Sequence, residues 1–230
     1  MTLYKGNSKI SDRGSFGVYA GNQPIYSIYK GSELVYQWNP YDPGEAVINR
    51  NDGSTVTMTI KRGLYYVEVV GAGGAAKHMQ INQYAFINAG GSGARFSANI
   101  SFLDDITITM SCGAAGQTTD GGDSTLVING NLIATAGGGK RGWPDKNEIG
   151  YGGTVTANPT ATGVVFSNVT TIDGNEGDHT SYAGTRTIEG GASVASQGTY
   201  GKGASANWQD APHGKAGENG WIYLKYIGTN

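Results

Sequence analysis

The chain has 230 residues, 38% hydrophobic and 15% charged, with a formal net charge of −2 and a sequence pI near 5.9. That is enough apolar material for one sizeable core, and too little charge to neutralise a phosphate backbone or an anionic membrane, so neither nucleic acid nor membrane insertion is expected. Glycine is the outlier at 39 residues, more than double the usual roughly 7%, yet 6 prolines and the lack of an unbroken Gly-X-Y tract exclude collagen.

The first residues, Met1-Thr2-Leu3-Tyr4-Lys5, have no apolar signal region, and no run of 18 apolar residues occurs. The sequence is therefore read as that of a protein made in a cytosol without a signal peptide. The single cysteine, Cys112, has no internal partner and reads as a core position.

Residues 1–40 carry a short repeat, Leu3-Tyr4-Lys5-Gly6 to Ile10, Val18-Tyr19-Ala20-Gly21 to Ile25, and Ile28-Tyr29-Lys30-Gly31 to Val35. Glycine followed by Asn7, Asn22 or Ser32 favours a tight turn, and the flanking tyrosines and aliphatics favour strands, so each copy predicts a small hairpin. An isolated hairpin is marginal in water. The segment is thus expected to attach to a partner surface, with Tyr4, Tyr19, Tyr29 and Tyr36 as attachment residues. Asn39-Pro40-Tyr41-Asp42-Pro43-Gly44 is dense in breakers and marks a boundary, with a second domain over 45–228.

In that second part Val56, Met58 and Ile60 alternate with threonines, and Tyr65, Val67 and Val69 continue the period after Arg62-Gly63. The same two-residue period appears in Phe96, Ala98, Ile100 and Phe102, then in Ile106, Ile108, Met110 and Cys112. Asn129-Gly130 between Leu126-Val127-Ile128 and Leu132-Ile133-Ala134 signals a hairpin, and Trp221 to Ile227 reads as a closing strand. No segment shows capped helical periodicity. The expected fold is all-β, a β-sandwich or jelly-roll-like core.

Between these strands glycine recurs every third residue: Gly71 and Gly74, Gly90 and Gly93, Gly113 and Gly116, Gly139 and Gly142, Gly150 and Gly153, Gly174 and Gly177, Gly198 and Gly201, and Gly214, Gly217 and Gly220. A period of three matches an extended left-handed helix with glycine along one edge, where neighbouring backbones approach closely enough to hydrogen-bond. Packed polyglycine-II-like segments are expected, with some glycines serving turns instead.

Catalysis would need clustered ionisable groups. His78, His179 and His213 have no metal-ligand spacing, Asp104-Asp105 falls in a turn, and Asp120-Gly121-Gly122-Asp123 lacks the rest of a calcium ligand series, so it too reads as turn chemistry. Gly71-Ala72-Gly73-Gly74 follows a strand, but no helix pattern or Walker lysine follows it. No enzyme, catalytic residue, metal or cofactor is expected. Large rings instead stand in the glycine-rich loops: Trp143, Tyr151, Tyr182, Tyr200, Trp208 and His213. A ring kept outside the core exposes apolar area, and stacking on a sugar face or partner surface is one reason to keep it; capping the ends of the glycine array is the other.

The succession Tyr65 to Gly74, Ala89-Gly90-Gly91-Ser92-Gly93, Ile106 to Gly116, Thr135-Ala136-Gly137-Gly138-Gly139 and Gly217-Glu218-Asn219-Gly220-Trp221-Ile222-Tyr223-Leu224 resembles the glycine-rich domain of bacteriophage tail-fibre and adhesin proteins, over about residues 45–228. Gly113-Ala114-Ala115-Gly116 departs from that family's purer glycine cluster, and long polyglycine runs are absent. The N-terminal repeat likewise looks like segments that begin phage tail or fibre proteins. The resemblance implies a virion component joined to other virion proteins through residues 1–40, in a homo-oligomer or larger assembly, with a host-surface glycan or protein as receptor. It equally fits a non-binding head fibre, capsid decoration or tail-assembly protein. A polysaccharide-degrading tailspike is a third class, for which no convincing carboxylate pair is present.

Overall fold

The computed structural model describes residues 4–5, 8–9, 18–20, 23–25, 27–31, 33–37, 41–81, 84–142, 149–180, 188–206 and 215–228. The N-terminal repeat forms three antiparallel hairpins, β1 (Tyr4–Lys5) with β2 (Ser8–Lys9), β3 (Val18–Ala20) with β4 (Gln23–Ile25), and β5 (Ser27–Lys30) with β6 (Glu33–Gln37). Gly31 takes φ 64 at the tip of the third, the left-handed conformation that selects glycine there.

The remaining strands are β7 (Ala46–Arg50), β8 (Thr55–Ile60), β9 (Gly63–Val70), β10 (Lys77–Ile81), β11 (Tyr84–Asn88), β12 (Arg95–Phe102), β13 (Ile106–Ser111), β14 (Ser124–Ile128), β15 (Asn131–Ala136), β16 (Val155–Ala157), β17 (Val164–Ile172), β18 (His179–Thr180) and β19 (Trp221–Gly228). Two five-stranded antiparallel sheets, ordered β17-β12-β9-β19-β7 and β16-β15-β14-β13-β8, pack face to face as a β-sandwich, and no helix occurs among the described residues. The period-two residues meet between them. Tyr65, Val67 and Val69 of β9 and Phe96, Ala98, Ile100 and Phe102 of β12 join Ile108, Met110, Leu126, Ile128, Ile222 and Leu224, all fully buried, with Cys112 beside them. Burial raises the Cys112 thiol pKa. Tyr65 packs its ring 5.3 Å from Phe102 and 5.2 Å from Tyr226, and its hydroxyl donates to Lys61 O at 2.8 Å, which satisfies the one polar atom that this burial carries inward.

The other face of the second sheet is a hydroxyl surface. Thr57 Oγ1 and Thr109 Oγ1 lie 2.9 Å apart, and Thr55 Oγ1 donates to Ser111 Oγ at 3.0 Å, side by side across β8 and β13.

The two ends of the sandwich differ. At one end the strands are joined by short turns at 61–62, 103–105, 129–130 and 158–163; Asn129 (φ 49) and Gly130 (φ 79) make the tight hairpin that their sequence predicts. Residues 41–45 reach the sandwich at this same end, where Gly44 N–H donates to Tyr226 O at 2.8 Å and Tyr41 packs its ring 6.4 Å from that of Tyr226. From the opposite end, after β9, β13, β15 and β17 and before β12, β14, β16 and β19, project the glycine-rich segments.

Candidate functional site: the glycine array and its far end

Ten extended segments, 71–76, 89–94, 113–116, 119–123, 137–142, 149–154, 173–178, 189–193, 201–206 and 215–220, run alternately away from the sandwich and back, cross-linked by backbone hydrogen bonds. Segment 89–94, wholly buried, shows the rule. Ala89 and Ser92 donate to Asp178 O and Asn175 O, Gly90 and Gly93 to Ala204 O and Gly201 O, and Gly91 and Ala94 to Lys140 O and Gly137 O, all at 2.8–3.0 Å. Each third residue therefore addresses the same neighbour, as a three-residue helical turn requires. Its carbonyls accept from Gly71 and Gly74, Gly153 and Gly191, so the segment has six hydrogen-bonded neighbours where a sheet strand has two. Segment 71–76 repeats the pattern, donating in turn to 89–94, 119–122 and 215–218. This is the packed polyglycine-II-like array that the glycine spacing predicts.

Close approach is what demands glycine. A Cβ on Gly90 would lie 2.0 Å from Gly74 O, and one on Gly73 would lie 1.9 Å from Lys202 O. Gly198 and Gly201 keep the three-residue spacing but sit at φ 65 and 68. They serve the turn into segment 201–206, which corrects their expected role as a helical pair. Gly214 lies outside the described residues.

At the rim, side-chain oxygens replace missing neighbours. Gly138 N–H donates to Asp123 Oδ1 at 2.9 Å and Arg141 N–H to Asp120 Oδ1 at 3.0 Å, so the Asp120-Gly121-Gly122-Asp123 stretch completes the array by reaching across to segment 137–142. Ser205 and Asn219 likewise accept from Gly190 N–H and Ala115 N–H, and in the buried centre Ser92 Oγ accepts from Asn175 N–H. Partial burial works against the Asp120 carboxylate, but hydrogen bonds from Arg141 N–H and the Lys140 ammonium, with the charges of both residues, outweigh it and hold its pKa below the ordinary value.

The expected binding rings divide. Tyr200 is half-buried and stacks on Trp221, centroids 4.9 Å apart at 22°, with Tyr223 stacked 4.8 Å beyond. The three rings fix residues 193–200 over the outer face of the first sheet, helped by buried Glu68, which accepts from Tyr66 Oη at 2.6 Å and Ser196 N–H at 2.7 Å. Tyr151 is 52% exposed. Trp143, Tyr182, Trp208 and His213 lie outside the described residues. The described chain leaves the array at Gly142, Thr180 and Ala206 and resumes at Ile149, Ile188 and Lys215, on the side away from the sandwich. Tyr4, Tyr19, Tyr29 and Tyr36 fall on β1, β3, β5 and β6, and their side-chain contacts lie outside what is described.

Tyr151 borders a cleft of about 450 Å³ with Thr119, Asp120, Lys140, Arg141 and Ile149, a grouping that sequence reasoning missed because its members come from three segments joined only by the array. Lys140 Nζ lies 3.0 Å from Asp120 Oδ2. Among the described residues no group of three or more His, Cys, Asp or Glu is placed to hold a metal ion, and no helix is long and apolar enough to cross a membrane. The chain matches no protein-family model and no curated protein.

Proposed function

We propose that the protein is a structural and adhesive component of a phage particle, joined to other virion proteins through residues 1–40 in a homo-oligomer or larger assembly. It presents the glycine array outward to a host-surface glycan or protein. The observation that carries this reading is the polarity of the molecule: residues 41–45 meet the sandwich at the end opposite the array, and the array puts an exposed ring, Tyr151, on its own surface. Six-neighbour hydrogen bonding leaves few unpaired backbone groups inside the array, which suits a spacer that must hold loops rigidly away from an attachment point. No catalytic step is needed for such a role.

Purified protein should block adsorption of the particles that carry it to host cells, and a chain lacking residues 1–38 should fold and block equally while failing to enter particles. Absence of the protein from particles, or adsorption unaffected by saturating protein, defeats the adhesive reading. The alternative, a non-binding virion structural protein, draws its support from Tyr200, a loop ring engaged in the stack on Trp221.

A further inference from the structure

We infer that strand β17 is the interface of a two-fold dimer, in which it pairs antiparallel with the β17 of a second copy and joins the two first sheets edge to edge. The inference stands apart from the adhesive reading and rests on the strand alone. β17 is nine residues long and ends its sheet, with β12 as its one neighbour among the described strands. The corresponding edge of the facing sheet, β16, has three residues. From Ser167 to Ile172 every residue is exposed, so this half of the strand is covered on neither face. Val165, Val169 and Ile172 leave apolar surface in water at 54%, 41% and 37% exposure. Charged residues and proline guard most exposed edges, and β17 has none.

The register points to a second copy. Val164, Phe166 and Thr171 lie across from Phe102, Ile100 and Phe96, which face the core; Val165, Ser167, Thr170 and Ile172 lie across from Ser101, Asn99, Ser97 and Arg95, on the outer face. The alternation breaks once, where Asn168, at φ 50, and Val169 together oppose Ala98. Because of that bulge, a two-fold axis between Asn168 and Val169 keeps outer residues against outer residues along the whole strand, which axes elsewhere on it do not. In that register Val165 meets Ile172 of the copy and Ser167 meets its Thr170, each contact made twice. Exposed aliphatic covers exposed aliphatic, and hydroxyl faces hydroxyl.

A foreign peptide strand is the competing occupant. Such a partner is ordinarily selected by charge or by side-chain pockets along the edge. β17 offers no charge, and the first carboxylate beyond it, Asp173, already accepts from Val155 N–H at 3.1 Å. In the two-fold register Asp173 falls opposite Val164 of the copy, so no like charges meet across the pairing. Because the two strands run antiparallel, the two glycine arrays point in opposite directions.

The test is sedimentation equilibrium of the full chain. Pairing along one strand buries less than a standard interface of roughly 1,600 Å², so association should be micromolar and concentrations of about 1 to 300 μM cover it. The mass should rise from 23.9 kDa to twice that value and stop there. Ser167→Lys with Thr170→Lys sets lysine across from lysine twice and should weaken association at least about fivefold. Ser167→Lys with Thr170→Glu sets opposite charges across the same axis and should stay within about threefold of the parent. All these positions are exposed, so the melting temperature of the dilute chain should move by no more than about 2 °C. As a measurement independent of those variants, Ser167→Cys with Thr170→Cys should give a disulfide-linked dimer on oxidation, with buried Cys112 left out of it. A monomer throughout, a mass that grows beyond the dimer, a Lys/Lys chain that associates like the parent, a Lys/Glu chain as weak as the Lys/Lys one, or an oxidised cysteine variant that stays unlinked overturns the inference. A monomer that still blocks adsorption would leave the adhesive reading standing; a dimer absent from particles would do the reverse.

Discussion

Gly91 and Tyr151 meet backbone to backbone: a Cβ placed on Gly91 would lie 2.0 Å from Tyr151 O, which also accepts from Lys140 N–H at 2.8 Å. The carbonyl of the exposed ring is thus seated in the space that a missing side chain leaves, so the inside of the array fixes what stands on its surface. Gly91→Ala must push segment 149–154 outward. Forced overpacking of this kind costs about 1–3 kcal/mol, so the variant should melt roughly 3–10 °C lower. Scanning calorimetry showing no loss would mean that the array yields without strain.

Gly217 and Ala216 give a sharper comparison, being adjacent in one segment. A Cβ on Gly217 would lie 2.4 Å from Gly73 O, whereas Ala216 is exposed and already carries one. Gly217→Val should therefore lower the melting temperature by roughly 10 °C or more, and Ala216→Val by no more than about 2 °C. Equal shifts in the two thermal scans would show that Gly217 is an ordinary loop glycine.

The three-residue glycine spacing was legible because hydrogen-bond direction repeats with the helical turn, and the sandwich core was legible from its period of two. The same spacing misleads at Gly198 and Gly201, since it carries no sign of φ, and both take the left-handed region. Strand β17 escapes the pattern for two reasons. Asn168, at φ 50, shifts the register opposite Ser97 and Asn99, and this edge strand leaves Val165 and Val169 exposed, so no regular alternation survives. The cleft was illegible because Asp120, Lys140 and Tyr151 are neighbours only through the array.

Asp120 makes part of the stability pH-dependent. Its folded-state pKa is lowered from 3.8, so the stabilisation from its charge is present above that value and is lost as pH falls through the lower folded-state value. The side chain is 44% exposed, and solvent screening limits the gain to about 0–1 kcal/mol. Asn at this position keeps an acceptor for Arg141 N–H but loses the charge. Asp120→Asn should therefore melt about 1–3 °C below the parent at pH 7, with the gap narrowing as pH falls below 3.8. A gap that widens toward low pH would contradict the sign.

Tyr151 and Tyr200 look alike in sequence, each a tyrosine in a glycine-rich loop, and the structure assigns them opposite surroundings. Tyr200 lies between residues 193–200 and Trp221, so truncation opens a gap in a three-ring stack and loosens the strap over Glu68. Tyr200→Ala should cost about 2–3 kcal/mol, below the 3–5 of a fully buried ring, and lower the melting temperature by several degrees. Tyr151 is 52% exposed, so Tyr151→Ala should change stability by less than about 0.5 kcal/mol. Attachment to host cells should respond the other way, falling with Tyr151→Ala and, measured well below the melting transition, persisting with Tyr200→Ala. If Tyr200→Ala abolishes attachment while Tyr151→Ala leaves it intact, recognition depends on the strap over the first sheet and not on the cleft at the side of the array.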